Sequence, residues 1–151
     1  MHPFDRFLKN TYEILSPLNE ITSRVTMTRH EFLTADRKAR RSVFGEGAGA
    51  VEVTVNMGAS PLSVNSKAGG EVVLGPSGFL VEGPTFVAFS ARKFGGLDYP
   101  SAPLFTVRSL DGKPIAQSAS LRIYHGFGDL RIRIAGAERK VEKEFTGPPK
   151  Q

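Results

Sequence analysis

Val51-Glu52-Val53-Thr54-Val55-Asn56 opens the stretch that decides the fold. Glu71-Val72-Val73-Leu74-Gly75-Pro76-Ser77-Gly78-Phe79-Leu80-Val81-Glu82 and Phe86-Val87-Ala88-Phe89-Ser90-Ala91 continue it. Val51, Val53 and Val55 alternate with Glu52, Thr54 and Asn56, the period of two that sets one face of a strand on a core. Val72, Val73 and Leu74 run into Pro76-Ser77-Gly78, a turn signature, and Phe79-Leu80-Val81 leaves it as the next strand. Gly78 is expected to supply a positive φ in that turn.

Outward from this stretch the same punctuation continues. Upstream, residues 31–34 and 40–44 read as strands about the turn Ala35-Asp36-Arg37-Lys38, and Gly45, Gly47 and Gly49 break the chain before Val51. Further strands are expected at 51–57, 62–65, 71–74, 79–82, 85–91, 104–110, 115–124 and 130–134. Asp111-Gly112 is the strongest hairpin signal. Residues 93–103 read as a Gly- and Pro-rich loop. One segment has a helical period instead: Phe4, Phe7, Leu8, Tyr12 and Leu15 share one face over residues 3–16. Pro3 and Asp5 suit its first turn, and Ser16-Pro17 is expected to end it, with an irregular helical continuation over residues 18–25 as the alternative. About nine short strands without intervening helices predict a mainly β fold, an antiparallel β-sandwich with one N-terminal α-helix. The chain divides into a helix and linker (1–25), the sandwich (26–136) and a charged flexible tail (137–151).

The 151 residues suffice for one domain with a real core. No apolar run is long enough for a transmembrane helix, and the N-terminus lacks the apolar core of a signal peptide. A soluble protein is expected, cytoplasmic or exported as part of a longer chain. There is no cysteine, hence no disulfide and no thiolate metal ligand. The net charge of +5 is unevenly placed, with Arg24, Arg29, Arg37, Lys38, Arg40 and Arg41 in one short segment, which reads as solvated loop and strand exteriors.

Candidate chemistry is sparse. None of His2, His30 and His125 has a partner at metal-ligand spacing, so no metal or other cofactor is expected. The glycines at 45, 47 and 49 are followed by a strand rather than a helix, which excludes a phosphate loop. Asp98, Asp111 and Asp129 lie in expected loops, where paired acids for glycoside hydrolysis would have to converge. His125-Gly126-Phe127-Gly128-Asp129 is the most chemistry-like pentapeptide. Phe94, Tyr99, His125 and Asp129 are accordingly the candidate ligand-binding residues, with carbohydrate the candidate ligand, although the chain has no Trp and core packing is the competing role for the aromatic rings. Arg122, Arg131 and Arg133, with Tyr124, fall on the polar side of neighbouring expected strands. No RNA-recognition signature accompanies them, and nucleic acid is not an expected partner.

Residues 44–91 resemble the C-terminal β-sandwich that follows the catalytic (β/α)8 barrel of several glycoside hydrolases. The matching features are Val51-Glu-Val-Thr-Val-Asn56, the pair Leu62 and Val64, and Val73-Leu74-Gly-Pro-Ser-Gly-Phe79-Leu-Val-Glu82, with Gly75 standing where those domains usually have Pro. Tyr12-Glu-Ile-Leu-Ser-Pro-Leu18 looks like the last barrel helix running into the sandwich. The resemblance implies a non-catalytic accessory module that packs on a neighbouring domain, because the catalytic acids of those families lie on the barrel. Phe4, Phe7, Leu8, Tyr12 and Leu15 are then the candidate interface, toward that domain or a second copy of the chain. The alternatives are a free-standing carbohydrate-binding module, or a small enzyme or nucleic-acid binder whose site assembles in space.

Overall fold

The computed structural model describes residues 2–149. Helix α1 (Pro3–Thr22) is followed by strands β1 (Met27–Phe32), β2 (Ala39–Phe44), β3 (Val51–Asn56), β4 (Leu62–Asn65), β5 (Glu71–Leu74), β6 (Phe79–Glu82) and β7 (Phe86–Ser90). Then come β8 (Lys93–Phe94), β9 (Leu97–Asp98), β10 (Leu104–Ser109), β11 (Leu121–Phe127), β12 (Arg131–Ile134), β13 (Ala137–Lys140) and β14 (Glu144–Gly147). A large sheet of eight strands has the order β1-β2-β3-β6-β7-β10-β11-β14. A sheet of four, β4-β5-β8-β9, and a ribbon of two, β12-β13, complete the set. The pairings are antiparallel. The fold is a β-sandwich with an N-terminal helix.

The main core lies between the large sheet and the two small ones. Leu80, Val87, Phe89, Phe105, Val107, Leu121 and Ile123 meet Val72, Leu74, Phe94, Leu97, Ile132 and Val141 there. A second cluster lies on the opposite face of the large sheet, where Val51, Val81, Phe86 and Ala88 receive Leu18 and Ile21 of α1. Both faces of β7 are therefore buried, which is why Phe86-Val87-Ala88-Phe89 is apolar without alternation.

Register explains an unexpected burial in β3. Thr54 pairs with Leu80, whereas Val53 and Val55 pair with Val81 and Phe79. Thr54 and Asn56 thus face the main core and are buried, while Val53 and Val55 lie half-buried on the helix side. The Asn56 amide tolerates this because Nδ2 donates to the carbonyls of Ser60, Leu74 and Gly75, and Oδ1 accepts from the Gly58 N–H at 3.0 Å.

Several expectations are corrected. The helix continues through Pro17 to Thr22. A proline inside a helix costs about 3 kcal/mol through its missing N–H and ring clash. Here Pro17 is itself buried, and Leu18 and Ile21 beyond it pack on the second cluster, which offsets that cost. The positive φ of the β5–β6 turn belongs to Ser77 (65°) and not to Gly78. Asp111-Gly112 does not make a two-residue hairpin, since β10 and β11 pair from Ser109 and Leu121 across a longer loop. The Asp111 carboxylate organises that loop by accepting from the Ala119 and Lys113 N–H groups and the Ser109 and Ser118 hydroxyls. These bonds, the Ala119 N–H foremost, hold its pKa far below the usual carboxylate range. The 93–103 loop contains the β8–β9 hairpin, turned by Gly95 and Gly96, both at positive φ. Residues 137–147, expected to fray, form β13 and β14, and β14 pairs with β11. The end of that expected tail, Lys150 and Gln151, and Met1 of the expected helix-and-linker segment lie outside the described residues.

Candidate functional site

The four candidate ligand residues do not converge on one surface. Phe94 and Tyr99 are only 6% and 4% exposed. Phe94 stacks on Phe89 with ring centroids 3.9 Å apart, and Tyr99 lies against the same ring at 6.3 Å. Burial, and next the Asp129 charge, push the Tyr99 phenol pKa well above its ordinary value. Neither ring offers a face to a ligand. His125 is half-buried, with Nδ1 3.1 Å from the Glu142 carbonyl and Nε2 3.2 Å from the Gly128 carbonyl. Asp129 accepts from the Arg131 N–H at 3.1 Å and pairs with its side chain. That N–H first, then the guanidinium, keep its carboxyl below the ordinary range.

The glycines beside His125 serve close approach. A Cβ on Gly126 would lie 2.7 Å from Asn10 Oδ1 of α1 and 2.5 Å from Leu104 Cδ2. Gly128 has a φ of 80°. The three candidate arginines divide between sheets, and each is engaged. Arg122 in β11 pairs with Glu13 and Glu144, Arg131 with Asp129, and Arg133 with Glu138. A groove of about 640 Å³ runs between the start of α1 and the end of β11, lined by Arg6, Lys9, Tyr124, Phe127 and Lys143 among others. Among the described residues no group of three or more His, Asp or Glu side chains is arranged to hold a metal ion. No described helix is long and apolar enough to cross a membrane.

The candidate interface is more coherent. α1 sits on the large sheet through a polar edge. Glu13, 5% exposed, is gripped by both terminal nitrogens of Arg122 at 2.6 and 2.9 Å and by Lys9 at 3.0 Å. Burial acts to raise the Glu13 pKa, but these hydrogen bonds outweigh it and hold the carboxyl below its ordinary value. Asn10 accepts from the Tyr124 hydroxyl at 2.7 Å, and Glu20 pairs with Arg108 at 3.2 Å. With that edge on the sheet, the apolar stripe points elsewhere. Phe4, Phe7, Leu8, Tyr12 and Leu15 are 60%, 64%, 50%, 66% and 55% exposed.

Beside the stripe runs an apolar trough of about 290 Å³. Its wall is Thr11, Ile14, Leu15 and Leu18 of α1, and its floor is Val53, Val55, Phe79 and Val81 of β3 and β6. Of the wall, sequence reading finds only Leu15, and it misses the floor. The alternation of β3 is plain in the sequence, but which side meets the main core depends on the polar burial of Thr54 and Asn56.

No protein-family model, curated protein or solved structure matches the chain.

Proposed function

We propose that this chain is a non-catalytic β-sandwich accessory module of a larger carbohydrate-active, glycoside hydrolase-like protein, and that α1 docks it on a neighbouring domain. The observation that carries the reading is the apolar stripe of α1, exposed although the helix is already anchored by its other side. Apolar surface of this extent is a mark of an interaction site. The carbohydrate half of the reading rests on the likeness of residues 44–91 to the sandwich of barrel glycosidases and of residues 12–18 to the last barrel helix running into it. The free-standing sugar-binding alternative is the poorer one, because Phe94 and Tyr99 are engaged in packing. The acids Asp111 and Asp129 are engaged in their own loops, which favours a supporting role over catalysis.

Hydrogen exchange compared between this chain alone and the full polypeptide encoded by its gene tests the proposal. Residues 4–15 should exchange more slowly in the full polypeptide, and Phe7→Asp with Leu8→Asp should abolish that difference. Equal exchange in the two forms would remove the docking role.

A further inference from the structure

We infer that the exposed face of α1 and the trough beside it are complementary to themselves, so that a second copy of this chain closes this surface when the neighbouring domain is absent. The inference rests on the docking role of α1 and names an occupant for the same face.

The shape of the face supports it. Phe4, Phe7 and Leu8 project from the first half of the helix, more than half exposed or close to it. The trough runs from the middle of the helix into its second half, between Thr11, Ile14, Leu15 and Leu18 and the strand residues Val53, Val55 and Phe79. Knob and hollow are thus offset along one helix, centred near Phe7 and Leu15, about 12 Å apart at 1.5 Å per residue. A two-fold axis passing near Thr11 sets two copies of α1 antiparallel. The knob of each copy then meets the hollow of the other, and the same contact forms twice, as an isologous interface requires. Thr11 is the small residue at the crossing point, which lets the helices approach to the usual 8–10 Å.

Charge does not oppose this arrangement. At about 100° per residue, Arg6, Lys9, Glu13 and Glu20 fall on the side of α1 away from the stripe, and Asp5 sits at its border beside Tyr12. Three of them are already paired, Lys9 with Glu13 and Glu20 with Arg108. The area is also sufficient. The five stripe side chains expose about 600 Å², taking roughly 200 Å² for a large side chain. The half-buried trough floor brings each copy close to the ~800 Å² per partner of a standard stable interface.

Sedimentation at ~10–100 µM chain, where mass action favours association, reads the outcome. The wild type should sediment as a dimer. Phe7→Asp with Leu8→Asp on the knob, and separately Val55→Asp on the trough floor, should each raise the dimer dissociation constant at least 100-fold. Because the chain has no cysteine, a single Thr11→Cys should cross-link to a covalent dimer under diamide, and Lys9→Cys should not. A wild-type monomer, or a dimer indifferent to both sets of substitutions, overturns the second copy as occupant. The melting temperature of the knob variant separates that failure from failure of the docking role. Melting as in wild type leaves docking in place. A monomer that melts much earlier shows the stripe to be part of this domain's own core and removes both.

Discussion

Gly78 lies against two backbone carbonyl oxygens, those of Gly75 and Ser90. It follows Pro76 and Ser77 in the β5–β6 turn, but the left-handed residue is Ser77, at φ 65°. What Gly78 provides is room, since a Cβ there would lie 2.8 Å from the Gly75 carbonyl oxygen and 2.9 Å from that of Ser90. Both are backbone atoms of strands or turns held by the ladder, so they do not yield easily. The turn was legible from composition, whereas its close approach to Ser90 depends on β6 pairing with β7. Gly78→Ala should therefore destabilise by about 1–3 kcal/mol through overpacking. Ser77→Gly should lie within about 0.5 kcal/mol of wild type or above it, because relief of left-handed strain offsets the greater freedom of glycine when unfolded. Urea titrations of the two variants check this. A stable Gly78→Ala beside a weakened Ser77→Gly would mean the two roles are reversed.

At the scale of the element, α1 separates what periodicity reveals from what packing decides. The spacing of Phe4, Phe7, Leu8, Tyr12 and Leu15 made the helix and its stripe legible. The expected end at Pro17 failed because a local rule was outweighed by the burial of Leu18 and Ile21. The side that meets the sheet was not legible either, being built from Asn10, Glu13 and Pro17, residues that sequence patterns assign to solvent or to a break. The C-terminal strands were missed for a similar reason. Charged residues such as Glu138 and Lys140 suggest a tail, but β12 and β13 pair in register and Arg133 bonds Glu138 at 2.8 Å. The contact of Asn10 with Gly126 gives the test for the helix. Gly126→Ala drives a methyl group into Asn10 and Leu104, lifting α1 from Tyr124 and Arg122. A loss of about 1–3 kcal/mol is expected, with faster hydrogen exchange across residues 9–21. Gly49→Ala, where an added Cβ meets nothing within 4 Å and φ is not positive, should stay within about 0.5 kcal/mol of wild type. If Gly126→Ala were as stable and as slowly exchanging as Gly49→Ala, α1 would not be held through this contact.

For the whole molecule, strand content and sandwich architecture were legible because each strand carries its own period and turn residues. The division into a large sheet facing two small ones was not, since it depends on pairings distant in sequence, such as β3 with β6 and β11 with β14. That division also decides the fate of the candidate sugar-binding aromatics. Phe94 and Tyr99 occur in a Gly- and Pro-rich stretch, which suggests an exposed platform. The β8–β9 hairpin instead folds under the large sheet and delivers both rings to Phe89. The two roles make opposite predictions for Phe94→Ala. A ligand platform would lose sugar binding and keep its stability. A core residue 6% exposed should lose about 3–5 kcal/mol, as buried Phe→Ala changes do. Against a total of roughly 5–15 kcal/mol for a domain, that is a large part of the stability. We expect Phe94→Ala to lower the urea midpoint sharply, and the wild-type chain to bind nothing on a glycan array. A wild type that binds a glycan, paired with a Phe94→Ala variant that is fully folded and no longer binds it, would return this chain to the free-standing sugar-binding class.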